Sequence, residues 1–207
     1  MESSLRQVLE ERAAIRSRMA EQRAALSEAE WLLRSQKIFE VLKSDSTLQR
    51  ARVVHCFISI AKRREVNTEP ILKWLQEQGK EVLVPVMKAR NLLSARFLGM
   101  DKLASGVFEV LEPIDRTPVD DSQIEVVLTP LLACDRSGNR LGYGKGFYDN
   151  FFSRLASMGV SPRKIGLAFS FQILDHIPQI HEKEHKDIPL DAIATETGLI
   201  EVVRQST

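Results

Sequence analysis

The 207-residue sequence has few cysteines, few aromatic residues and almost no net charge, and each shortage excludes a class of protein. Its two cysteines, Cys56 and Cys134, both lie in apolar runs, which predicts buried free thiols in a reducing compartment and not a disulfide scaffold. A formal net charge of +1 provides no overall field for nucleic acid or a membrane surface. Aromatic residues make up 6% of the chain and do not alternate with a basic stripe, which disfavours nucleic-acid binding.

Long hydrophobic runs are also missing. No apolar run approaches the ~20 residues that a transmembrane helix needs, and the charged N-terminal pattern lacks the apolar core of a signal peptide. We therefore expect a cytoplasmic, soluble protein with no membrane partner. A hydrophobic content of 43% in 207 residues is enough for one core, so we expect a single domain over 1–207, with N-terminal helices in 1–44 packing on it.

Several catalytic and metal-binding motifs are absent as well. The sequence contains no Gly-x-Ser-x-Gly, His-Glu-x-x-His or Cys-x-x-Cys, so neither a hydrolase nor a metalloprotease is indicated. His176, His181 and His185 lie in a charged segment without a nearby cysteine, which is a weak pattern for zinc. We expect these histidines on the surface.

What remains is an alternation of helices and strands. Two helices are predicted over residues 3–25 and from Ser27, where Ser27 and Glu30 form a capping box. Further helices are predicted over 68–79 and from the glycines to Gly159, and strands over 53–60, 82–87, 124–133, 165–169 and 193–195, with edge strands or a flap at 92–98 and 107–111. Strand, helix and strand in succession form a βαβ unit. The predicted fold is three-layer α/β, an open and mostly parallel sheet with helices on both faces.

A glycine-rich stretch follows the strand predicted over 124–133. Gly142, Gly144 and Gly146 alternate, with Lys145 among them and Arg140 just before. Such glycines permit positive φ and a close backbone approach, and successive N–H groups at a helix start attract anions. The spacing matches neither Walker A nor Gly-x-Gly-x-x-Gly, so it indicates an anion site and leaves the ligand open. Alternatively, the glycines form a tight connection that binds no ligand. The cations Lys145 and Arg140 favour the phosphate site over this alternative.

Three carboxylates are candidates for ligand or metal contacts. Asp149 lies in the first turn of the helix after the glycines, where it either complements the helix dipole or binds Mg²⁺ with a nucleotide. Asp187 is a distant candidate for a second magnesium ligand, and spacing cannot join the two. Glu65 follows the first strand, where open α/β sheets place ligand groups, or it balances the basic residues 62–64.

Arg12 and Arg16 share one face of the first predicted helix, and Arg23 lies further along it. A solvated face is the interpretation that spacing alone favours. A phosphate clamp that reaches the glycine loop is the alternative.

The segment 138–149 resembles the signature of the 5-formyltetrahydrofolate cyclo-ligase family, also called 5,10-methenyltetrahydrofolate synthetases. Arg12-x-x-x-Arg16, Glu65-Val-Asn-Thr68 and Asp187-Ile-Pro-Leu190 are similar to further family patterns and occur in the same order. The glycine motif is long and specific, whereas the other patterns are weak when taken singly.

The resemblance implies a monomeric enzyme that uses ATP and Mg²⁺ to cyclise 5-formyltetrahydrofolate to 5,10-methenyltetrahydrofolate, releasing ADP and phosphate. It implies that Lys145 and Arg140 stabilise the moving phosphoryl group and that Asp149 and Asp187 hold Mg²⁺. The implied ATP contacts are Arg12, Arg16, Arg140, Leu141, Gly142, Tyr143, Gly144, Lys145, Gly146, Phe147 and Tyr148, and the implied folate contacts are Phe57, Ile58, Glu65 and Phe147. Because of this resemblance we expect Arg12 and Arg16 to form the phosphate clamp and not a solvated face.

Two other functions remain open from the sequence. One is a noncatalytic nucleotide- or folate-binding regulator with the same fold, which the joint presence of Lys145, Asp149 and Glu65 disfavours. The other is a phosphotransferase acting on another small molecule, which the glycine loop alone would allow and which the Glu65 segment disfavours.

Overall fold

A computed structural model of the chain describes residues 2–88, 91–106, 111–180 and 187–203. Most of the edge strand predicted over 107–111, together with His181 and His185, lies outside the described residues. The helices are α1 (Glu2–Ala24), α2 (Glu28–Ser44), α3 (Ser46–Arg50), α4 (Glu69–Glu77) and α5 (Phe147–Ser157). The strands are β1 (Val53–Cys56), β2 (Glu81–Lys88), β3 (Asn91–Arg96), β4 (Leu103–Ser105), β5 (Leu111–Pro113), β6 (Val126–Thr129), β7 (Ala133–Asp135), β8 (Arg140–Leu141), β9 (Arg163–Leu167), β10 (Ile173–Leu174), β11 (Ala192–Thr195) and β12 (Gly198–Glu201).

The main sheet has the strand order β12-β11-β9-β6-β1-β2-β3. The inner strands β11, β9, β6, β1 and β2 run parallel, and the edge strands β12 and β3 pair antiparallel to their neighbours. Two small sheets, β10-β7-β8 and β4-β5, lie beside it. The apolar runs of the inner strands reflect burial on both sheet faces.

Helices cover both faces of this sheet. The β1–α4–β2 crossover moves toward one edge and the β6–α5–β9 crossover toward the other, so right-handed connections place α4 and α5 on opposite faces. Helix α2 packs against α4, β11 and β12 and so joins the face of α4. The predicted three-layer α/β fold, with an open and mostly parallel sheet, is confirmed.

The capping box that was predicted to start α2 is present. The Ser27 side chain accepts from the Glu30 amide at 3.2 Å, and the Glu30 carboxylate accepts from the Ser27 amide at 3.1 Å. Two of the free amides at the helix start are thereby satisfied.

Two strand predictions were wrong in their extent, and one strand was missed. The first strand ends at Cys56, because the amides of Ser59 and Ile60 donate to the Thr68 and Glu65 side chains and no longer to a strand. The strand predicted over 124–133 is split into β6 and β7 around Pro130, which has no N–H to donate. Strand β11 is followed by β12, which the sequence reading did not predict.

The chain order of the strands creates a switch point in the middle of the sheet. Strand β1 is followed by β2 on one side, and β6 later pairs with the other side of β1. Loops that leave the carboxyl ends of β1 and β6 therefore diverge and leave a crevice, which is where open α/β sheets bind ligands. The loop over 57–68 and the glycine stretch after β8 both border this crevice.

Helix α1 lies across these loops and not on a face of the main sheet. It contacts β7 and the turn Ala61–Arg63. Its buried Met19 belongs to a small apolar cluster with Leu132, Leu141 and Ile177. The N-terminal helix is thereby positioned at the mouth of the crevice.

The predicted properties of the cysteines and of His176 are confirmed. Cys56 and Cys134 are buried and free, and His176 is exposed. Burial raises the pKa of both thiols, that of Cys134 to about 12 with a contribution from the charge of Asp135. Within the described ranges, no helix combines the length and apolarity that crossing a bilayer requires.

His55 is a buried histidine on the α5 side of β1. Its ring centroid lies 4.9 Å from that of Phe151 and 6.4 Å from that of Tyr148. Neither ring nitrogen has a hydrogen-bond partner among the described residues. Burial lowers the pKa of His55 to about 3, and the positive charge of Arg154 adds to the effect.

This burial predicts acid sensitivity. Between pH 6.5 and 3, His55 binds a proton in the unfolded chain and stays neutral in the folded chain. The free energy of unfolding therefore falls as the pH falls. From pH 7.5 to 5, the wild type should lose roughly 2 kcal/mol more than His55→Phe in urea unfolding. His176→Gln, which changes an exposed histidine, should follow the wild type. Parallel losses in the wild type and His55→Phe would contradict the neutral, buried state of His55.

Candidate active site

The glycine loop ends at the start of α5. Gly146 is the N-cap residue, has φ +68° and supplies no side-chain acceptor, so the first amides of the helix are available to an anion. Gly144 also has positive φ, +81°, whereas Gly142 does not. Lys145 between them is exposed and has no hydrogen bond or ion pair with the described residues. This end of the crevice has the backbone and charge of a phosphate site.

One arginine of α1 reaches this loop, and a second reaches the neighbouring segments around Pro178 and Asp187. Arg16 Nε donates to the Gly142 carbonyl oxygen at 2.9 Å, and Arg12 Nη1 donates to Asp187 Oδ2 at 2.6 Å and to the Pro178 carbonyl oxygen at 2.9 Å. Burial lowers the pKa of Arg16, the neighbouring charge of Arg12 lowers it further, and Asp187 opposes both. The solvated-face interpretation of the pair is therefore wrong, and the face points into the site.

Asp149 contacts the residue next to Asp187, although the two aspartates lie 38 positions apart in the sequence. Asp149 Oδ1 accepts from Arg140 Nη2 at 2.6 Å and from the amide of Ile188 at 3.2 Å, which directly follows Asp187. Their other oxygens, Asp149 Oδ2 and Asp187 Oδ1, accept no hydrogen bond from the part of the chain that the structure describes. No group of three or more His, Cys, Asp and Glu side chains forms a metal site there.

Arg140 lies beneath the loop and not on its surface. Its guanidinium is buried, pairs with Asp149, and lies 5.6 Å from the ring centroid of Tyr148 and 5.7 Å from that of Phe152. This arginine thus holds the carboxylate of the first helical turn in place.

Glu65 forms the other half of the site. The residue is 4% exposed, and its Oε2 accepts from the Ile60 amide at 2.8 Å. Its Oε1 accepts from the hydroxyl of Tyr143, and its carbonyl oxygen accepts from Trp31 Nε1 at 2.5 Å. Contacts from the loop after β1, the glycine loop and α2 therefore fix this carboxylate at the switch point.

The Tyr143 hydroxyl also accepts from Arg23 Nη2 at 2.7 Å. Burial and the charge of Glu65 raise the pKa of Tyr143 to about 12, so the phenol stays protonated and donates to Glu65. Arg23 is 2% exposed and was not predicted as a site residue. Its signal was the spacing i, i+4, i+7, i+11 of Arg12, Arg16, Met19 and Arg23, which places all four on one face of α1.

Several predicted contacts lie away from the loop surface. Tyr148 is buried against His55 and Phe151, and its hydroxyl has no partner among the described residues. Burial raises its pKa well above the ordinary value, and nearby Cys56 adds to this. Leu141 is fully buried, so only the backbone of these two residues borders the phosphate site.

A cavity with apolar and polar walls adjoins the Glu65 loop. Its volume is about 290 Å³, and its walls include Ile58, Leu72, Met100 and Leu111. Phe57 is buried in the core and does not line it, and Phe147 is half-buried at the start of α5. Of the predicted folate contacts, Ile58 is thus the one that borders this cavity.

Together the fold and the site define an open α/β protein with a phosphate-type loop and a buried carboxylate at its switch point. The model of the 5-formyltetrahydrofolate cyclo-ligase family matches residues 8–196, and the chain belongs to this family. The resemblance drawn from the glycine motif is confirmed.

Related proteins agree with this assignment. The chain is 34% identical to the 5-formyltetrahydrofolate cyclo-ligase of Escherichia coli K12 over 136 residues, which cover 63% of this chain and 71% of the relative. It is 28% identical to the mouse 5-formyltetrahydrofolate cyclo-ligase over 196 residues, covering 88% and 92%. The solved structure of Aquifex aeolicus 5,10-methenyltetrahydrofolate synthetase is similar with a TM-score of 0.80 and 27% identity, covering 95% of both chains.

The glycine loop makes a prediction that needs no ligand. Gly144→Ala should lower the free energy of unfolding by about 1–2 kcal/mol, because alanine at φ +81° is strained. Gly142→Ala is the matched control, because φ is not positive there and an added Cβ meets nothing within 4 Å. Urea unfolding of both variants measures the difference. Equal stability of the two would contradict the left-handed conformation at Gly144.

Proposed function

We propose that this chain catalyses the ATP-dependent cyclisation of 5-formyltetrahydrofolate to 5,10-methenyltetrahydrofolate, with release of ADP and phosphate. The main support is the hydrogen bond between Tyr143 of the glycine loop and Glu65. It joins a phosphate-type loop and a buried carboxylate in one crevice, as a reaction between two substrates requires. Family membership supplies the identity of both substrates.

The reaction needs activation of a poor electrophile. The formyl oxygen on folate N5 attacks the γ-phosphorus of ATP, and ADP leaves. N10 then attacks the carbon that bears this phosphorylated oxygen, the ring closes, and phosphate leaves with the former formyl oxygen as N10 loses its proton. No covalent bond to the protein is required, so the protein acts by positioning and by stabilising charge.

On the nucleotide side, the amides at the start of α5 and the cation of Lys145 would bind phosphate oxygens. Arg12 and Arg16 would turn from Asp187 and the Gly142 carbonyl to the more highly charged phosphates. Arg140 would neutralise charge from beneath the loop. The remaining nucleotide contacts would come from the backbone of 141–148.

Magnesium fits the carboxylate pair. A magnesium ion bound with a nucleotide takes one or two carboxylates and completes its shell with phosphate oxygens and water. Asp149 and Asp187 would hold it through the oxygens that lack a donor among the described residues. When bound, the ion would neutralise charge on the phosphates, and the residues of this chain would keep its two carboxylates side by side.

On the folate side, Glu65 would accept hydrogen bonds from the pterin edge, and Ile58 would contact the ring from the adjoining cavity. Phe147 would contact it from the start of α5, and Phe57 would support this wall from the core. We also propose that the protein is a monomer and that it is located in the cytoplasm, a reducing compartment in which the buried thiols would stay free.

The direct test is an absorbance assay. Purified protein with 5-formyltetrahydrofolate and Mg-ATP should produce the absorbance of 5,10-methenyltetrahydrofolate, with one ADP formed per product. If the folded protein consumes ATP only when a different small molecule is present as the phosphate acceptor, the phosphotransferase function is supported instead. Folded protein that binds either ligand and forms no product would support a regulator.

Replacement of Lys145 tests the phosphate site. Lys145→Ala should lower turnover by about a hundredfold or more, because a charge that stabilises the phosphoryl group in the transition state is lost. Its free energy of unfolding should stay within about 0.5 kcal/mol of the wild type, because the side chain is exposed. Lys37→Ala, at an exposed lysine on α2, should leave both unchanged. An unstable Lys145→Ala protein with normal turnover per folded molecule would show that the loop is structural.

A further inference from the structure

The side chain of Tyr143 connects the two halves of the site. Its hydroxyl donates to Glu65 Oε1 and accepts from Arg23 Nη2. The guanidinium groups of Arg23 and Arg63 lie 5.7 Å and 5.1 Å from its ring centroid. A phenol between a buried cation and a buried carboxylate makes two charge-assisted hydrogen bonds, which are stronger than neutral ones.

These contacts give each carboxylate oxygen of Glu65 one donor. Oε2 accepts from the Ile60 amide and Oε1 accepts from Tyr143. Glu65 is 4% exposed, so water has little access to replace either donor. A ligand that donates to Oε1 must therefore compete with the phenol.

The backbone on either side of Tyr143 is attached to the nucleotide half of the site. Arg16 Nε donates to the Gly142 carbonyl oxygen, and the guanidinium of Arg16 also lies against Gly144. A phosphate is a stronger partner for a guanidinium than a carbonyl oxygen is. When Arg16 turns to a phosphate, the loop loses an anchor one residue before Tyr143.

We propose that Tyr143 is a positioning residue whose hydroxyl stays hydrogen-bonded to Glu65 Oε1 until a nucleotide binds. Nucleotide binding then frees this oxygen for folate, so the nucleotide strengthens folate binding. The identity of the two ligands rests on the proposed function. Because binding free energies are linked, folate strengthens nucleotide binding by the same factor. Tyr143 thereby favours assembly of the ternary complex over either binary complex.

Tyr143→Phe tests this role, because it removes the hydroxyl and keeps the ring between its two cations. Titration calorimetry with 5-formyltetrahydrofolate should be run with and without Mg-adenylyl imidodiphosphate, which is not hydrolysed. In the wild type the nucleotide should lower the folate Kd by roughly ten- to a hundredfold, the factor for one hydrogen bond to a charged group. In Tyr143→Phe, folate alone should bind about as tightly as it binds the nucleotide-bound wild type.

Arg63→Met is the matched control. It removes a cation from the same ring and leaves both hydrogen bonds of the hydroxyl, so it should keep the wild-type coupling. Coupling that persists in Tyr143→Phe, or folate binding that weakens in it without nucleotide, would overturn the proposal. The second result would mean that the phenol only orients Glu65.

A second readout requires no folate. The indole of Trp31 donates to the Glu65 carbonyl oxygen, so its fluorescence in a Trp74→Phe background reports on this segment. Mg-adenylyl imidodiphosphate should change the emission of this variant and should not change it once Tyr143→Phe is added. An unchanged emission in both variants would overturn the coupling. If the emission change depends on Tyr143 and the protein binds no 5-formyltetrahydrofolate, the coupling between the nucleotide half and Glu65 is supported and the proposed function is refuted.

Discussion

Docking of three arginines on one face of α1, of which Arg12 and Arg23 are buried, is the constraint on which the site depends. Arg12, Arg16 and Arg23 each donate to a carbonyl, carboxylate or hydroxyl oxygen outside α1. A buried guanidinium without such acceptors is strongly destabilising, so α1 can dock only when its partner loops are in place. The same contacts then hold those loops at the switch point of the sheet. Docking of the helix and formation of the site are therefore one event.

The charged groups of the site are paired with one another. The buried arginines pair with carboxylates: Arg12 with Asp187, Arg140 with Asp149, and Arg23 with Glu65 through Tyr143. Lys145 differs from them because it is exposed and has no partner among the described residues. Substrates that carry several negative charges would take the place of these existing partners. The charged groups would therefore already be paired before a substrate binds. This arrangement stabilises the crevice and keeps its side chains near the positions where they would act.

Local patterns allowed most of the fold to be predicted. The βαβ unit, the capping box at Ser27 and the glycine loop before α5 each depend on residues that are close in the sequence. Pro130 shows the limit of such patterns, because the apolar residues around it look like one strand and form two. Strand β12 was missed because its pairing with β11 depends on a turn and not on an apolar run.

The site was less predictable because its contacts are long-range. Asp149 and Asp187 meet through the Ile188 amide, which no spacing rule joins. Tyr143 and Tyr148 are both in the glycine motif, yet Tyr143 binds Glu65 at the surface of the crevice and Tyr148 is buried on the inner face of α5. Their difference arises from the turn at Gly144 and Gly146 and the start of the helix. The arginine face of α1 was ambiguous because charged stripes are usually solvated.

The reactivity of the two thiols reports on local and global opening of the fold. Cys56 belongs to the main core at the end of β1, whereas Cys134 packs in a separate cluster with Leu131, Ala168, Leu190 and Ile193. Burial keeps both thiols protonated, and an alkylating reagent attacks the thiolate. Labelling therefore waits for a local or global opening of the surrounding core. Comparison of the two labelling rates by mass would show, without any added probe, whether the glycine-loop side of the molecule opens before the central sheet.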